Sequence, residues 1–173
     1  PILTPDRQTT PAPTEPVHLA DIFERTAREH ADAVAIDDGV ATMTYADLDA
    51  ASDEWAFRLH ALDIGADDVI AVALDRSLDL VVAVWAIAKA GATVLPIDSR
   101  YPAQRVEHMI ADSGAVLGIT SSDRFDTVPR GIWWLSTESL SQSGPDAPPT
   151  GWPPARPTDS LAYIVYTSGS TGK

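Results

Sequence analysis

A run of small residues at positions 167–172 has the chemistry of an anion-binding loop. It consists of Thr167, Ser168, Gly169, Ser170, Thr171 and Gly172. Glycine lets the backbone adopt positive φ and approach a ligand closely. Successive backbone N–H groups can then form a nest for phosphate oxygens, to which the hydroxyl groups donate further hydrogen bonds. The run therefore predicts a phosphate-binding loop, and the alternative for such a string taken alone is a flexible Ser/Gly-rich end without a ligand.

A different phosphate motif overlaps the same residues. Gly172 and Lys173 look like the end of the P-loop NTPase pattern, G-x-x-x-x-G-K-[ST]. That pattern requires glycine at position 167, where this sequence has threonine. The Walker-type interpretation fails at this first glycine.

The elements that must position the loop are predicted from the hydrophobic pattern. Residues 160–166 form an apolar segment that predicts a final strand leading directly into the loop. Before it, predicted strands alternate with predicted helices: strands at 69–74, 93–97, 115–120 and 132–135, and helices at 77–90 and near 102–112. This alternation predicts an α/β fold with a mostly parallel sheet flanked by helices. The Pro-, Gly- and Ser-rich residues 143–157 predict a long surface loop.

The amino-terminal part of the sequence predicts a lead-in followed by a helical layer. Residues 1–16 contain five prolines and predict a linker or lead-in peptide, so that 17–173 form the folded portion. Helical spacing predicts helices at 17–30 and 46–62, and the Asp38-Gly39 turn signal predicts a β-hairpin near 33–45.

Charge and composition exclude several classes of partner. The net charge of −13 argues against nucleic acid and anionic membranes, because both are bound through cationic surfaces. The most apolar run, 78–87, has about half of the ~20 residues needed to span a bilayer and is interpreted as a buried helix. The absence of cysteine excludes disulfides and is compatible with a reducing compartment, so we expect a cytoplasmic protein.

The remaining side chains that attract attention favour structural roles. His18, His30, His60 and His108 are not at metal-ligand spacing with a partner, and we expect no metal site among them. Trp133 and Trp134 could stack on a base. Alternation along a short strand instead predicts that one points inward and one outward.

Residues 161–172 resemble, nearly residue for residue, the phosphate-loop core motif of nonribosomal peptide synthetase adenylation domains. In that family the loop continues with Pro-Lys-Gly after one variable residue, so Lys173 would occupy the variable position. Residues 43–48 resemble the family's first motif, Thr/Ser-Tyr-x-x-Leu. Residues 88–98 resemble its second, with conservative departures at Ala88, Thr93 and Leu95. Within the second motif, Lys89, Gly91 and Asp98 are predicted to be structural rather than catalytic.

The resemblance implies that the complete domain activates an amino acid with ATP and Mg²⁺. The carboxylate would attack the α-phosphate to give aminoacyl-AMP and pyrophosphate, and the acyl group would pass to the phosphopantetheine thiol of a carrier domain. The loop of residues 167–172 would hold the β- and γ-phosphates. The other partners it implies are the remainder of the adenylation domain, an upstream condensation domain and an MbtH-like protein.

The same resemblance limits what residues 1–173 can do by themselves. In the family, the amino-acid pocket, the adenine and ribose motifs and the catalytic lysine of the lid all follow the phosphate loop. We therefore expect no catalytic residue within this stretch and no adenylation by it alone. Two alternatives stay open: a fragment of an acyl-CoA or aryl-acid ligase, and a non-catalytic interaction module, for which no nucleotide dependence is expected.

Overall fold

The computed structural model describes residues 17–98, 100–142, 148 and 150–167. In this part of the chain, helices and strands alternate from the first hairpin onwards. The elements are α1 (Leu19–Glu29), β1 (Val34–Asp37), β2 (Thr42–Thr44), α2 (Tyr45–Ala61), β3 (Val69–Ala73), α3 (Leu78–Lys89), β4 (Thr93–Pro96), α4 (Ala103–Ser113), β5 (Leu117–Thr120), β6 (Trp133–Ser136) and α5 (Thr137–Leu140), with a 3₁₀ turn at Ser122–Arg124. The predicted linker at 1–16 lies outside the described residues.

The principal sheet has four parallel strands in the order β4-β3-β5-β6. Its central strand β3 is buried over its whole length, as expected for a strand covered on both faces. The connections through α3 and α4 are the crossovers that parallel pairing requires. The predicted α/β architecture, with a parallel sheet flanked by helices, is confirmed.

Alternation along β3 divides the interior into two apolar clusters. Ile70 and Val72 belong to a cluster with α1, α2 and α3. Val69, Ala71 and Ala73 belong to the cluster that contains α4. Successive side chains of a strand point to opposite faces, so a single apolar run can supply both layers.

The predicted hairpin is present as a separate antiparallel pair of β1 and β2. Gly39 has φ +84 in the turn, a conformation that favours glycine. Asp37 and Asp38 accept hydrogen bonds from backbone N–H groups of the turn. Directly after β2, Thr44 and Asp47 form a capping box that starts α2.

The predicted strand at 160–166 is wrong in extent, because only one bridge forms, the parallel pair of Val94 and Tyr163. The Val94 N–H donates to the Ala162 carbonyl at 3.1 Å, and the Ile164 N–H donates to the Val94 carbonyl at 2.9 Å. In a parallel ladder the next donor on β4 would be residue 96. That residue is Pro96, which has no N–H, so the ladder stops after one rung.

A helix that the sequence pattern did not predict is α5, a single turn that follows β6 without a gap. Ser136 caps it by accepting a hydrogen bond from the Ser139 N–H at 3.0 Å. Across the described residues, the structure contains no helix that combines the length and apolar character needed to traverse a bilayer.

Candidate functional site

The segment 161–166 lies along the outer edge of β4 and runs parallel to it. Because it runs parallel to β4, its carboxyl end lies at the end of the sheet where the carboxyl ends of β3 and β4 also lie. This end is called the carboxyl edge of the sheet. Ligands of open parallel α/β sheets bind beyond this edge. Thr167, the first residue of the predicted phosphate loop, follows the segment directly.

Of the six predicted loop residues, only Thr167 belongs to the described part of the chain, where it is exposed. Ser168, Gly169, Ser170, Thr171 and Gly172 lie outside it. The loop as a phosphate site therefore stays a prediction. The described segment nevertheless places its first residue at the edge of the sheet where such a site is expected.

A cavity of about 670 Å³ opens at this edge, between the ends of β3 and β4. Its apolar lining comes from both strands and from α4, and Val165 and Tyr166 form part of its wall. Charged side chains border it: Asp75 and Arg76 after β3, and Asp98 and Arg100 after β4. The segment that leads into the predicted loop thus forms part of the wall of a cavity with apolar and charged lining residues.

The charges bordering the cavity are partly paired with one another. The Arg100 guanidinium donates to both carboxylate oxygens of Asp98, at 2.9 and 2.6 Å. These hydrogen bonds, with one from the Arg100 backbone N–H, hold the pKa of Asp98 well below its usual range. Arg124 donates to Asp75 at 2.7 Å. Asp98, predicted to be structural, therefore acts as an ionised partner of Arg100 in this structure.

Tyr166 attaches the end of the segment to α4. Its hydroxyl group donates to Asp112 Oδ2 at 2.6 Å and lies 3.4 Å from the Met109 carbonyl oxygen. Its ring packs against the cluster that contains α4. Burial, together with the hydrogen bond and charge of Asp112, raises the pKa of Tyr166 to about 12. The phenol therefore remains a donor to the carboxylate at physiological pH.

Residues 150–158, which precede this segment, pack against α1 and α2, on the face of the sheet opposite to α4. The ring of Trp152 meets Phe57 of α2 edge-on at a centroid distance of 4.7 Å. Arg156 pairs with Asp21 and Glu24 of α1 at 3.0 and 2.8 Å. The predicted surface loop is thus partly packed. The tryptophan and the arginine in this Pro-rich stretch are the sequence features that could have indicated this packing.

Lys89, in the second family-like motif, is completely buried. Its ammonium group donates to the Asp49 carboxylate at 2.6 Å, to the Asp53 carboxylate at 2.7 Å and to the Asp49 carbonyl oxygen at 2.9 Å. These contacts join α3 to α2, and none of the three residues lines the cavity. Gly91 follows with φ +82, and a Cβ there would lie 3.3 Å from the Ala155 carbonyl oxygen. The geometry agrees with the structural roles predicted for both residues.

The other candidate side chains also occupy structural positions. Trp133 is 81% exposed, whereas Trp134 packs against the α4 cluster and donates to the Pro129 carbonyl at 2.7 Å, so the predicted alternation is confirmed. His18 caps α1 by accepting from the Ala20 N–H. Burial and the neighbouring Arg156 lower its pKa. Within the described residues, no group of three His, Asp or Glu side chains is arranged to hold a metal ion.

Comparison with known proteins extends this description. A family model described as AMP-binding enzyme matches residues 23–173. The sequence is 38% identical over 159 residues to the probable non-canonical nonribosomal peptide synthetase CymA of Salinispora arenicola, a match that covers 92% of this chain and 2% of that protein. The chain thus spans a small part of the length of this curated relative.

Solved structures that share this fold include two with bound adenylates or adenylate analogues. The N-terminal subdomain of Klebsiella oxytoca NpsA in complex with 3-hydroxybenzoyl-AMSN aligns with a TM-score of 0.77 at 29% identity, covering 90% of this chain and 39% of that one. The nonribosomal peptide synthetase FmoA3 in its α-methyl-L-serine-AMP-bound form aligns with a TM-score of 0.80 at 28% identity. That alignment covers 90% of this chain and 17% of FmoA3.

Proposed function

The chain belongs to the family of AMP-binding enzymes, and from that premise we propose that it is part of an ATP-dependent adenylation domain of a nonribosomal peptide synthetase. The single observation that carries the proposal is the family match over residues 23–173, which includes all three motifs noted in the sequence. Adenylate formation by an ATP-dependent ligase is the activity of the family. The amino-acid substrate and the later acyl transfer are parts of the proposal.

In the proposed reaction, an amino-acid carboxylate attacks the α-phosphate of ATP, and pyrophosphate leaves. Residues 167–172 hold the β- and γ-phosphates through backbone N–H groups and hydroxyls. The position of Thr167 at the carboxyl edge of the sheet supports this role. In a chain with a net charge of −13, such local donors offset the long-range repulsion of the nucleotide.

We expect Mg²⁺ to enter with the phosphates of ATP, since it binds through a few carboxylates together with substrate phosphates. It would screen their charge as pyrophosphate departs. The residues that the structure describes offer no cluster of three acidic or histidine ligands. Because the nucleotide phosphates supply much of its ligand set, the metal is proposed to be held chiefly by ATP.

We further propose that the acyl group passes to the phosphopantetheine thiol of a carrier domain. The similarity to peptide synthetases such as CymA supports this partner. An upstream condensation domain and an MbtH-like protein are additional proposed partners, and a cytoplasmic location is proposed with them. Residues 1–173 alone are proposed to be inactive, because the remainder of the domain would supply the carboxylate pocket and the catalytic lysine.

A second candidate substrate class is an aryl acid. The NpsA subdomain that shares this fold was solved with a 3-hydroxybenzoyl-AMSN ligand, whereas FmoA3 was solved with an aminoacyl-AMP. The similarity in fold is nearly equal, so it does not separate the two classes. The amino acid is proposed first because CymA is named as a peptide synthetase.

The test is acid-dependent exchange of pyrophosphate into ATP by the full-length protein, with amino acids and aryl acids screened in parallel. We expect one amino acid to drive exchange and the Gly169→Ala variant to lose most of it, because a methyl group would intrude on the phosphate volume. The matched control is Gly65→Ala, where an added Cβ meets nothing within 4 Å.

The results separate the candidates. Exchange driven only by aryl acids would move the assignment to the aryl-acid ligases. No exchange with any acid, together with no thermal stabilisation by ATP and Mg²⁺, would favour the non-catalytic interaction module. Exchange catalysed by residues 1–173 alone would contradict the proposed inactivity of this stretch.

A further inference from the structure

The backbone attachment of segment 161–166 ends before the predicted loop begins. Its last backbone hydrogen bond to β4 is donated by Ile164, and Pro96 supplies no N–H for a further rung. Two residues, Val165 and Tyr166, separate this bond from Thr167. Something other than the ladder must fix the point from which the loop departs.

The side chain of Tyr166 provides that attachment. Its hydroxyl group donates to Asp112 in the last turn of α4, at 2.6 Å. Its ring packs against the apolar cluster that α4 forms with the sheet. The residue immediately before Thr167 is thus tied to a helix that is itself packed on the sheet.

We propose that Asp112 is a positioning residue for ATP: by holding Tyr166, it fixes the start of the phosphate loop beside the cavity at the carboxyl edge of the sheet. This inference rests on the proposed function. In this role Asp112 makes no contact with the nucleotide and acts only through Tyr166. A loop fixed in advance loses less conformational freedom when it binds phosphate, so the anchor favours ATP binding.

Loss of the hydrogen bond between Asp112 and Tyr166 is expected to weaken the binding of ATP and to leave the binding of the carboxylic acid unchanged. In the full-length protein, Asp112→Ala raises the KM for ATP about tenfold, because the loop must then be ordered at the expense of binding energy. The KM for the carboxylic acid and kcat stay within about twofold. A purely structural role gives a different result, since partial unfolding reduces the active fraction, and hence the apparent kcat, without changing the KM for ATP.

Four further variants make the assignment specific. Tyr166→Phe removes the same hydrogen bond and is expected to match Asp112→Ala, and the double variant is expected to be no worse than either, because both remove one interaction. Asp112→Asn keeps an acceptor oxygen and restores most of the affinity for ATP. Glu107→Ala removes an exposed carboxylate from the same helix and serves as the unchanged control.

A second measurement does not depend on turnover. Hydrogen exchange of the peptide that contains residues 163–167 is expected to accelerate in Asp112→Ala and Tyr166→Phe but not in Glu107→Ala. Unchanged exchange in both variants overturns the anchor even if the enzyme is active. If Asp112→Ala and Tyr166→Phe show faster exchange but keep normal acid-dependent activity and an unchanged KM for ATP, only the positioning role is overturned. Absence of activity in the wild type, with the exchange effect present, overturns the proposed function and with it the role toward ATP.

Discussion

Lys89 provides the sharpest test of how the helical layer is held together. Its side chain has no exposed surface, whereas the side chains of its partners Asp49 and Asp53 are 30% and 39% exposed. Lys89→Met keeps the length and apolar character of the lysine stem and removes the charge. Any loss of stability then reports mainly on the three hydrogen bonds that the ammonium group donates.

The expected loss is about 2–4 kcal/mol. Removing one member of a buried ion pair costs roughly 3–5 kcal/mol, chiefly because its partner is left buried and unpaired. Here both carboxylates retain partial contact with water, so the expected loss extends below that range. Since 1.4 kcal/mol corresponds to a factor of ten, exchange of the protected amides in α2 and α3 should accelerate roughly 30- to 700-fold.

The pH dependence of this loss has a definite sign. Burial raises the pKa of Asp53, and the hydrogen bond and charge of Lys89 lower it. Without Lys89 the folded-state pKa rises further, so the folded variant holds its proton more tightly than the unfolded chain does. The loss of stability in Lys89→Met relative to the wild type is therefore largest at a pH above the raised pKa of Asp53. This loss shrinks as the pH falls towards the ordinary aspartate pKa of 3.8.

The assay is hydrogen exchange followed by mass spectrometry, which reports the free energy of opening for each helix separately. Arg25→Met is the matched control, because it removes a cation from an exposed position on α1. Adding Asp49→Asn and Asp53→Asn to Lys89→Met should recover most of the loss. The reasoning is refuted if Lys89→Met behaves like Arg25→Met, or if removing both carboxylates brings no recovery.

Two further substitutions test the packing of the sheet and the start of α2. Gly118→Ala should destabilise the protein by about 1–3 kcal/mol in urea unfolding, because the new methyl group would lie 2.6 Å from Cδ2 of Trp134. Gly131→Ala is the control and should leave the stability unchanged, because a Cβ at that position meets open space. Thr44→Ala should cost ~1 kcal/mol by removing the helix cap, seen as a lower melting temperature. The Thr44 hydrogen bonds lower the pKa of Asp47. The difference in stability between the wild type and Thr44→Ala should therefore narrow as the pH falls through the lowered pKa of Asp47. A stability difference that does not change with pH would contradict the capping box.

The alternation of helices and strands could be predicted from the sequence because each element carries its own periodic signal. The run at 69–74 is apolar on both faces, and β3 is indeed buried on both. Asp38-Gly39 indicated the hairpin, since few residues tolerate the positive φ of that turn. These signals are local and need no knowledge of the partner elements.

The parts that the sequence did not reveal depend on contacts between distant residues. The strand expected at 160–166 is reduced to one bridge, and Pro96, more than 60 residues earlier, cannot donate the next hydrogen bond towards its carboxyl end. Asp112 and Tyr166 meet across 54 residues, and Arg156 pairs with Asp21 across 135. The candidate loop could be predicted from composition and motif, whereas its anchor required the fold.

The order of the strands also has a consequence for synthesis of the protein. The four-stranded sheet is built entirely from residues 69–136, and the segment that leads to the loop pairs with an edge strand made long before it. As the chain leaves the ribosome amino end first, the sheet can assemble before residues 161–167 emerge. The segment that leads to the proposed phosphate loop is then added to this sheet, and sequence changes in it are expected to alter activity without preventing the sheet from folding.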